Sequence, residues 1–175
     1  ASSSAASGRY SVAVSELAQA ARARSASFAS ASAQVMGGTL DFSIDGTTTQ
    51  VALDDGMTLT QAADRINKSG IAVSATVLET NGAAYLSITR RDTGFVVGQP
   101  GSSALQITET STGSLGQALG ATIQQSAVNA QLTVDGLAFE RRSNVVSDVI
   151  PGATLTLKTK PGTAEDLLLT TSTSD

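Results

Sequence analysis

The 175-residue chain contains no cysteine, no histidine and no tryptophan, and only 3% of it is aromatic. Without cysteine there are no disulfides, thiol nucleophiles or thiolate metal sites. The lack of histidine removes the commonest general base and metal ligand near neutral pH, so catalysis would have to run on carboxylates, Lys or Tyr. Charge is also scarce: 15% of residues are ionic, the net charge is -4, and the eleven Lys and Arg residues are scattered instead of lining one face. That pattern disfavours nucleic acid as a partner. No apolar run approaches the roughly 20 residues that span a bilayer, and no basic region followed by an apolar block opens the sequence. Neither a membrane partner nor a cleaved leader is expected. What is present is 41% hydrophobic residues, mostly Val, Ile, Leu and Ala, in a matrix of Ser, Thr and Gly. Such residues build a shallow, β-friendly core, and the composition is that of secreted bacterial polymers more than of cytosolic enzymes.

The first eight residues, Ala1 to Gly8, are small and polar and read as a flexible lead-in. From Tyr10, the residues Tyr10, Val12 and Val14 alternate with small polar ones, the period of a half-buried strand. Glu16 to Ala33 is Ala-rich but interrupted by serines, so it reads either as a weak helix or as a loosely ordered connector. After Gly37-Gly38, alternation over Thr39 to Ile44, the turn dipeptide Asp45-Gly46 and a return through Gln50 and Leu53 predict a hairpin. Thr58 is placed to cap a helix whose stripe is Leu59, Ala62, Ala63 and Ile66, ending between Asn67 and Gly70. Ile71 to Val77, Asn81-Gly82 and Tyr85 to Ile88 predict a second hairpin.

Beyond Thr93-Gly94 the apolar pieces Phe95 to Val97 and Leu105 to Ile107 read as edge strands or loop, and Leu115 to Leu119 as a turn or two of helix. The last third repeats an earlier pattern. Gln131 to Gly136 echoes Asp41 to Gly46 in polarity, and Val145, Val146, Val149 and Ile150 stand where a second helical stripe would follow, with Ser143-Asn144 as its caps and Pro151-Gly152 as its stop. Thr154 to Lys158, the turn Pro161-Gly162 and Leu167 to Thr171 then supply two strands to pair with Tyr10 to Val14. The expected fold is therefore α+β and β-rich, with two small antiparallel-sheet domains, each with a short helix, one inserted into the other. The chain ends, 1–36 and 126–175, would form a discontinuous plate domain, and 37–125 the inserted outer domain.

Candidates for chemistry are few. Asp54-Asp55, with Asp41 and Asp45 nearby, lack the spacing of a calcium loop and read as solvated turns. Gly94 to Gly98 lacks the Lys and hydroxyl of a phosphate loop. Lys68 beside Ser69 is a nucleophile pair only on paper, because sequence neighbours seldom have the needed geometry. Tyr10, Phe42 and Phe139 occupy alternating positions that suit core packing better than ligand stacking. No catalytic residue, metal site or cofactor is implied.

Several stretches match a known family in order and spacing. Arg9 to Ala20, Gly38-Thr39-Leu40 with Asp45-Gly46, Thr58 to Asn67 and, most specifically, Asn129-Ala130 and Val134-Asp135-Gly136 followed by Arg142-Ser143-Asn144 through Lys158 resemble the flagellar cap family. Gly94 to Gln125 is poorly matched. The long helical ends of that family have no counterpart here, so the likeness is to its head alone. The resemblance implies an extracellular structural protein at the flagellar tip, exported unfolded through the flagellar secretion channel. It also implies a ring-shaped homo-oligomer that guides flagellin into the filament. In such a ring the clusters Arg90-Arg91 and Arg141-Arg142 become candidates for subunit contacts with acidic neighbours such as Asp54 and Asp55. Rival readings are an adhesin head holding host glycans or mucin, and an outer domain of a hook-junction protein or of flagellin.

Overall fold

The computed structural model describes residues 8–158 and 165–169. In chain order the strands are β1 (Gly8–Glu16), β2 (Arg22–Arg24), β3 (Gly38–Ile44) and β4 (Thr47–Leu53), followed by helix α1 (Leu59–Lys68). Then come β5 (Val73–Thr80), β6 (Ala83–Arg90), β7 (Gln106–Ser111) and β8 (Thr122–Gln125). The series closes with β9 (Ala130–Val134), β10 (Leu137–Arg141), β11 (Val145–Val146), β12 (Leu155–Thr156) and β13 (Glu165–Leu169).

Local chemistry sets the tightest pieces. Three hairpins turn on a left-handed pair: Asp45-Gly46 with φ of 50° and 85°, Asn81-Gly82 with 49° and 74°, and Asp135-Gly136 with 50° and 80°. These are the conformations whose twist matches that of two paired strands, and Asn, Asp and Gly tolerate them best. Helix α1 opens with a capping box. Gln61 N–H donates to Thr58 Oγ1, and Thr58 N–H donates to Gln61 Oε1. Its buried stripe is the expected one of Leu59, Ala62, Ala63 and Ile66. Ser69, the paper nucleophile, donates its hydroxyl to Ile66 O at 2.6 Å and serves the helix end.

Two apolar cores result. One joins Leu40 and Phe42 of β3, the α1 stripe, Leu86 and Ile88 of β6 and Ala23 of β2. It lies between the sheets β4-β3-β7 and β5-β6-β2-β8. The other is smaller and joins Val14, Leu132 and Val134 to Val146, Ile150 and Leu157. It sits under the sheet β10-β9-β1-β13 and is covered by the segment that carries the short pair β11-β12. Strand β1 pairs antiparallel with β13, Tyr10 opposite Leu167, so the two ends of the chain do share a sheet. Phe42 is fully buried, while Tyr10 and Phe139 pack half-buried against the smaller core.

Several expectations fail. The second helical stripe is absent: Val145 and Val146 form a strand opposite Leu155 and Thr156, as β-branched residues favour once a partner is available. The sheet units therefore do not each carry a helix; α1 is the only α-helix among the described residues. Thr154 to Lys158 pairs with β11 and not with β1. Leu115 to Leu119 is not helical. Residues 19–36, expected with the chain ends, bury Ala21, Ala23, Phe28 and Val35 in the larger core, so the crossing between units lies near Gln19 instead of at 36. The lead-in before Gly8, the turn at Pro161-Gly162 and residues Thr170 and Thr171 lie outside the described residues.

Candidate functional site

The chain crosses between the two cores at Ala18–Gln19 and again near Val128, and the two crossings are hydrogen-bonded to each other. Gln19 N–H donates to Val128 O at 2.8 Å and Val128 N–H returns to Gln19 O at 3.1 Å. Around this pair a polar joint closes. Asn144 grips Ala18 through both backbone groups, accepting its N–H at 2.7 Å and donating to its carbonyl at 2.9 Å. Asn129, almost fully buried, accepts Phe95 N–H and donates to Glu140. Thr93 donates its hydroxyl to Arg142 O. Asn129 is the buried member of this set and is partnered at both ends of its amide, whereas Asp45 Oδ1 and Arg90 Nε, at the joint's centre, are buried without a hydrogen-bond partner.

At the centre of the joint stands Asp45, on the tip of the β3–β4 hairpin. Its Oδ2 accepts Arg90 Nη2 at 2.7 Å and Arg142 Nη2 at 2.6 Å. Arg90 itself is 3% exposed and spends its other terminal nitrogen on Gly94 O at 2.6 Å. One carboxylate thus ties the hairpin and β6 of the larger unit to the end of β10 in the smaller one. Gly94, at φ 68°, lets the loop after β6 run directly against Arg142 and Asn129.

The sequence-derived contact residues are dispersed by the fold. Arg90 is inside the joint, which removes it as a subunit contact. Arg142 also holds Asp45, although its side chain remains 40% exposed. Arg141 pairs with Asp148 at 2.9 Å, which lowers the Asp148 pKa through that hydrogen bond and charge, and lies over the Phe139 ring. Asp54 pairs with Arg65 on the surface. Arg91 is exposed beyond β6. Asp55 is more than a solvated turn: its carboxylate collects Gly37 N–H and Ser114 N–H at 3.0 Å and Leu115 N–H at 3.1 Å, pinning the loop after β7. These donors, Gly37 first, hold its pKa below the usual carboxylate value. A lowered folded pKa stabilises the native state above the ordinary value of 3.8 and loses that contribution as the pH falls through the lowered one. Asp55→Asn should therefore flatten the acid limb of stability: thermal melts between about pH 2 and 6 will show a shallower decline for the variant than for the parent chain.

Among the described residues no group of three His, Cys, Asp or Glu side chains is placed to hold a metal ion. Among the described residues an open groove beside α1 is lined by Asp54, Met57, Gln61, Asp64, Arg65 and Lys68. What sequence reasoning missed is Arg22 and Arg24, exposed on either side of buried Ala23. The signal was there, since Arg-Ala-Arg followed by Ser has the alternation of a strand.

Comparison with known proteins agrees with this geometry. A family model, "Flagellar hook-associated protein 2 C-terminus", matches residues 127–174. The B-type flagellar hook-associated protein 2 of Pseudomonas aeruginosa is 30% identical, aligned over 100% of this chain and 40% of its own length. The A-type protein is 29% identical over 93% of this chain and 38% of its own. The chain thus spans about two fifths of the length of these relatives. Among solved structures, the D2-D3 domains of the flagellar cap protein FliD from Escherichia coli superpose with a TM-score of 0.82 at 25% identity, covering 96% of this chain and 90% of that one. FliD from P. aeruginosa PAO1 gives 0.80 at 27% identity, over 99% and 84%. The likeness to the flagellar cap family, and to its head in particular, is borne out along nearly the whole chain.

Proposed function

From a chain that matches the D2-D3 part of flagellar cap proteins almost end to end, we propose that it is the head of a filament cap, a structural and non-catalytic part placed outside the cell at the filament tip. The observation that carries this reading is the coverage: 90% of the Escherichia coli D2-D3 structure is accounted for by this chain, with the same fold. The matches named above are flagellar parts, which favours the cap over the adhesin reading. In the whole protein several copies would stand in a ring and guide flagellin subunits into the lattice one at a time. Contacts in such a device must be weak enough to break at every step, so that binding shifts a balance instead of locking it. The head must nonetheless hold its own shape, and the Asp45 joint supplies that stiffness. Of the contact residues read from sequence, Arg91 and Asp54 keep exposed side chains and remain proposed for contacts between copies.

Deletion of the whole gene in its host, followed by return of the gene, tests this. Deletion should release unpolymerised flagellin into the medium and leave cells without filaments, and the returned gene should restore both. Normal filaments after deletion would overturn the reading.

A further inference from the structure

Each sheet of the larger unit buries one face and turns the other to solvent, and the two open faces differ in charge. On β5-β6-β2-β8, strand registry places Arg22 opposite Thr89 and Arg24 opposite Ser87. The same outward row carries Tyr85 and, across from it on β5, Leu78 at 51% exposure. Arg24 lies over the Tyr85 ring, 5.0 Å from its centroid. The one acid in these four strands, Glu79, has the parity of the buried face, opposite Ala84. The β4-β3-β7 face is the reverse. Its strands contain no Lys or Arg at all, and the centre of its outward row is Asp41, which accepts Gln50 Nε2 at 2.8 Å.

We propose that the Arg22–Arg24–Tyr85 face is a docking surface for a second copy of this chain, which presents the Asp41 face of its own β4-β3-β7 sheet. The proposal rests on the cap reading and names the surfaces by which copies meet. Three arguments carry it. In a chain of net charge -4, a local face with two guanidiniums and no opposing carboxylate is attracted to the rest of another copy. Exposed Arg and Tyr side chains are the types most enriched where binding energy concentrates. Unlike faces on one molecule make a head-to-tail contact, the kind that closes a ring when the rotation fits. Four strands spaced by about 4.8 Å make a face only about 15–20 Å wide, which suits a contact that must be remade repeatedly.

The test uses the full-length protein, with assembly followed by sedimentation velocity over a range of concentrations and at two salt levels. The double variant Arg22→Glu, Arg24→Glu should weaken self-association about tenfold or more, and the parent should lose affinity with salt. Adding Asp41→Arg to the double variant should recover association. Circular dichroism melts confirm folding, and Arg24→Gln with Tyr85→Ser provides a milder pair should the reversal unfold the head. Undiminished association in either set of variants, including a case where only binding to another protein is lost, overturns the surface assignment and leaves the cap reading standing. A parent protein that stays monomeric at every concentration removes the ring itself, and with it both proposals.

Discussion

Asp45→Asn will lower the unfolding free energy by about 3–5 kcal/mol, the usual cost of leaving a buried cation without its partner. Asn suits the left-handed turn position almost as well as Asp, so the hairpin is spared and the loss reads charge alone. Arg142 is 40% exposed on its side chain and can recover hydration, whereas the Arg90 side chain is 2% exposed and cannot. Most of the effect must then come from Arg90. Two further measurements isolate it. Adding Arg90→Met should restore the greater part of the stability, because an apolar chain of similar length replaces an uncompensated charge. The effect should also persist in high salt, since screening reaches buried pairs poorly. Chemical denaturation provides the readout, and a change under about 1 kcal/mol would show that Asp45 is only a turn residue.

Gly94→Ala should cost about 2–4 kcal/mol. A Cβ at this position would lie 2.5 Å from Arg142 O, 2.5 Å from Asn129 Oδ1 and 2.6 Å from Arg142 Cα. Two of those atoms are backbone and the third belongs to a buried side chain held by a hydrogen bond at each end of its amide, so none moves cheaply. Overpacking of that kind contributes about 1–3 kcal/mol, and the φ of 68° adds about 1 more for a residue with a side chain. Gly136→Ala is the control. It shares the positive φ, at 80°, but a Cβ there meets nothing within 4 Å, leaving only the backbone cost. Because Gly94 lies between the two units, its replacement should also separate their unfolding, turning one calorimetric transition into two. Equal losses at Gly94 and Gly136 would show that the joint gives way to the extra methyl without strain.

The parts of the fold that could be read from sequence are those decided within a few residues. The Asp-Gly and Asn-Gly turns, the Thr58–Gln61 box and the α1 stripe each carry their cause locally. The pairing of β1 with β13 was legible because an alternating strand at one end of the chain and a short apolar run at the other each need a partner. By contrast, Val145-Val146 carries a helical spacing that its distant partner, Leu155-Thr156, overrides. β2 is three residues long; its alternation is visible, but its place between β6 and β8 is not, and an alternation that short is outweighed by the Ala-rich stretch around it. The joint was illegible for the same reason: Asp45 and Arg142 are 97 residues apart, and a lone Asp before Gly reads as turn chemistry until its second use is seen. Arg90 likewise resembled its exposed neighbour Arg91 until strand parity turned it inward.

The paired crossing at Gln19 and Val128 has an evolutionary consequence. Two backbones joined by hydrogen bonds stand only about 5 Å apart, so everything between them hangs from the remainder as a loop hangs from its neck. Insertions or deletions at the far end of that lobe therefore leave the β1–β13 sheet unaltered, whereas exchanging the lobe outright would strip Asn129 and Arg142 of the partners that Phe95 and Asp45 supply.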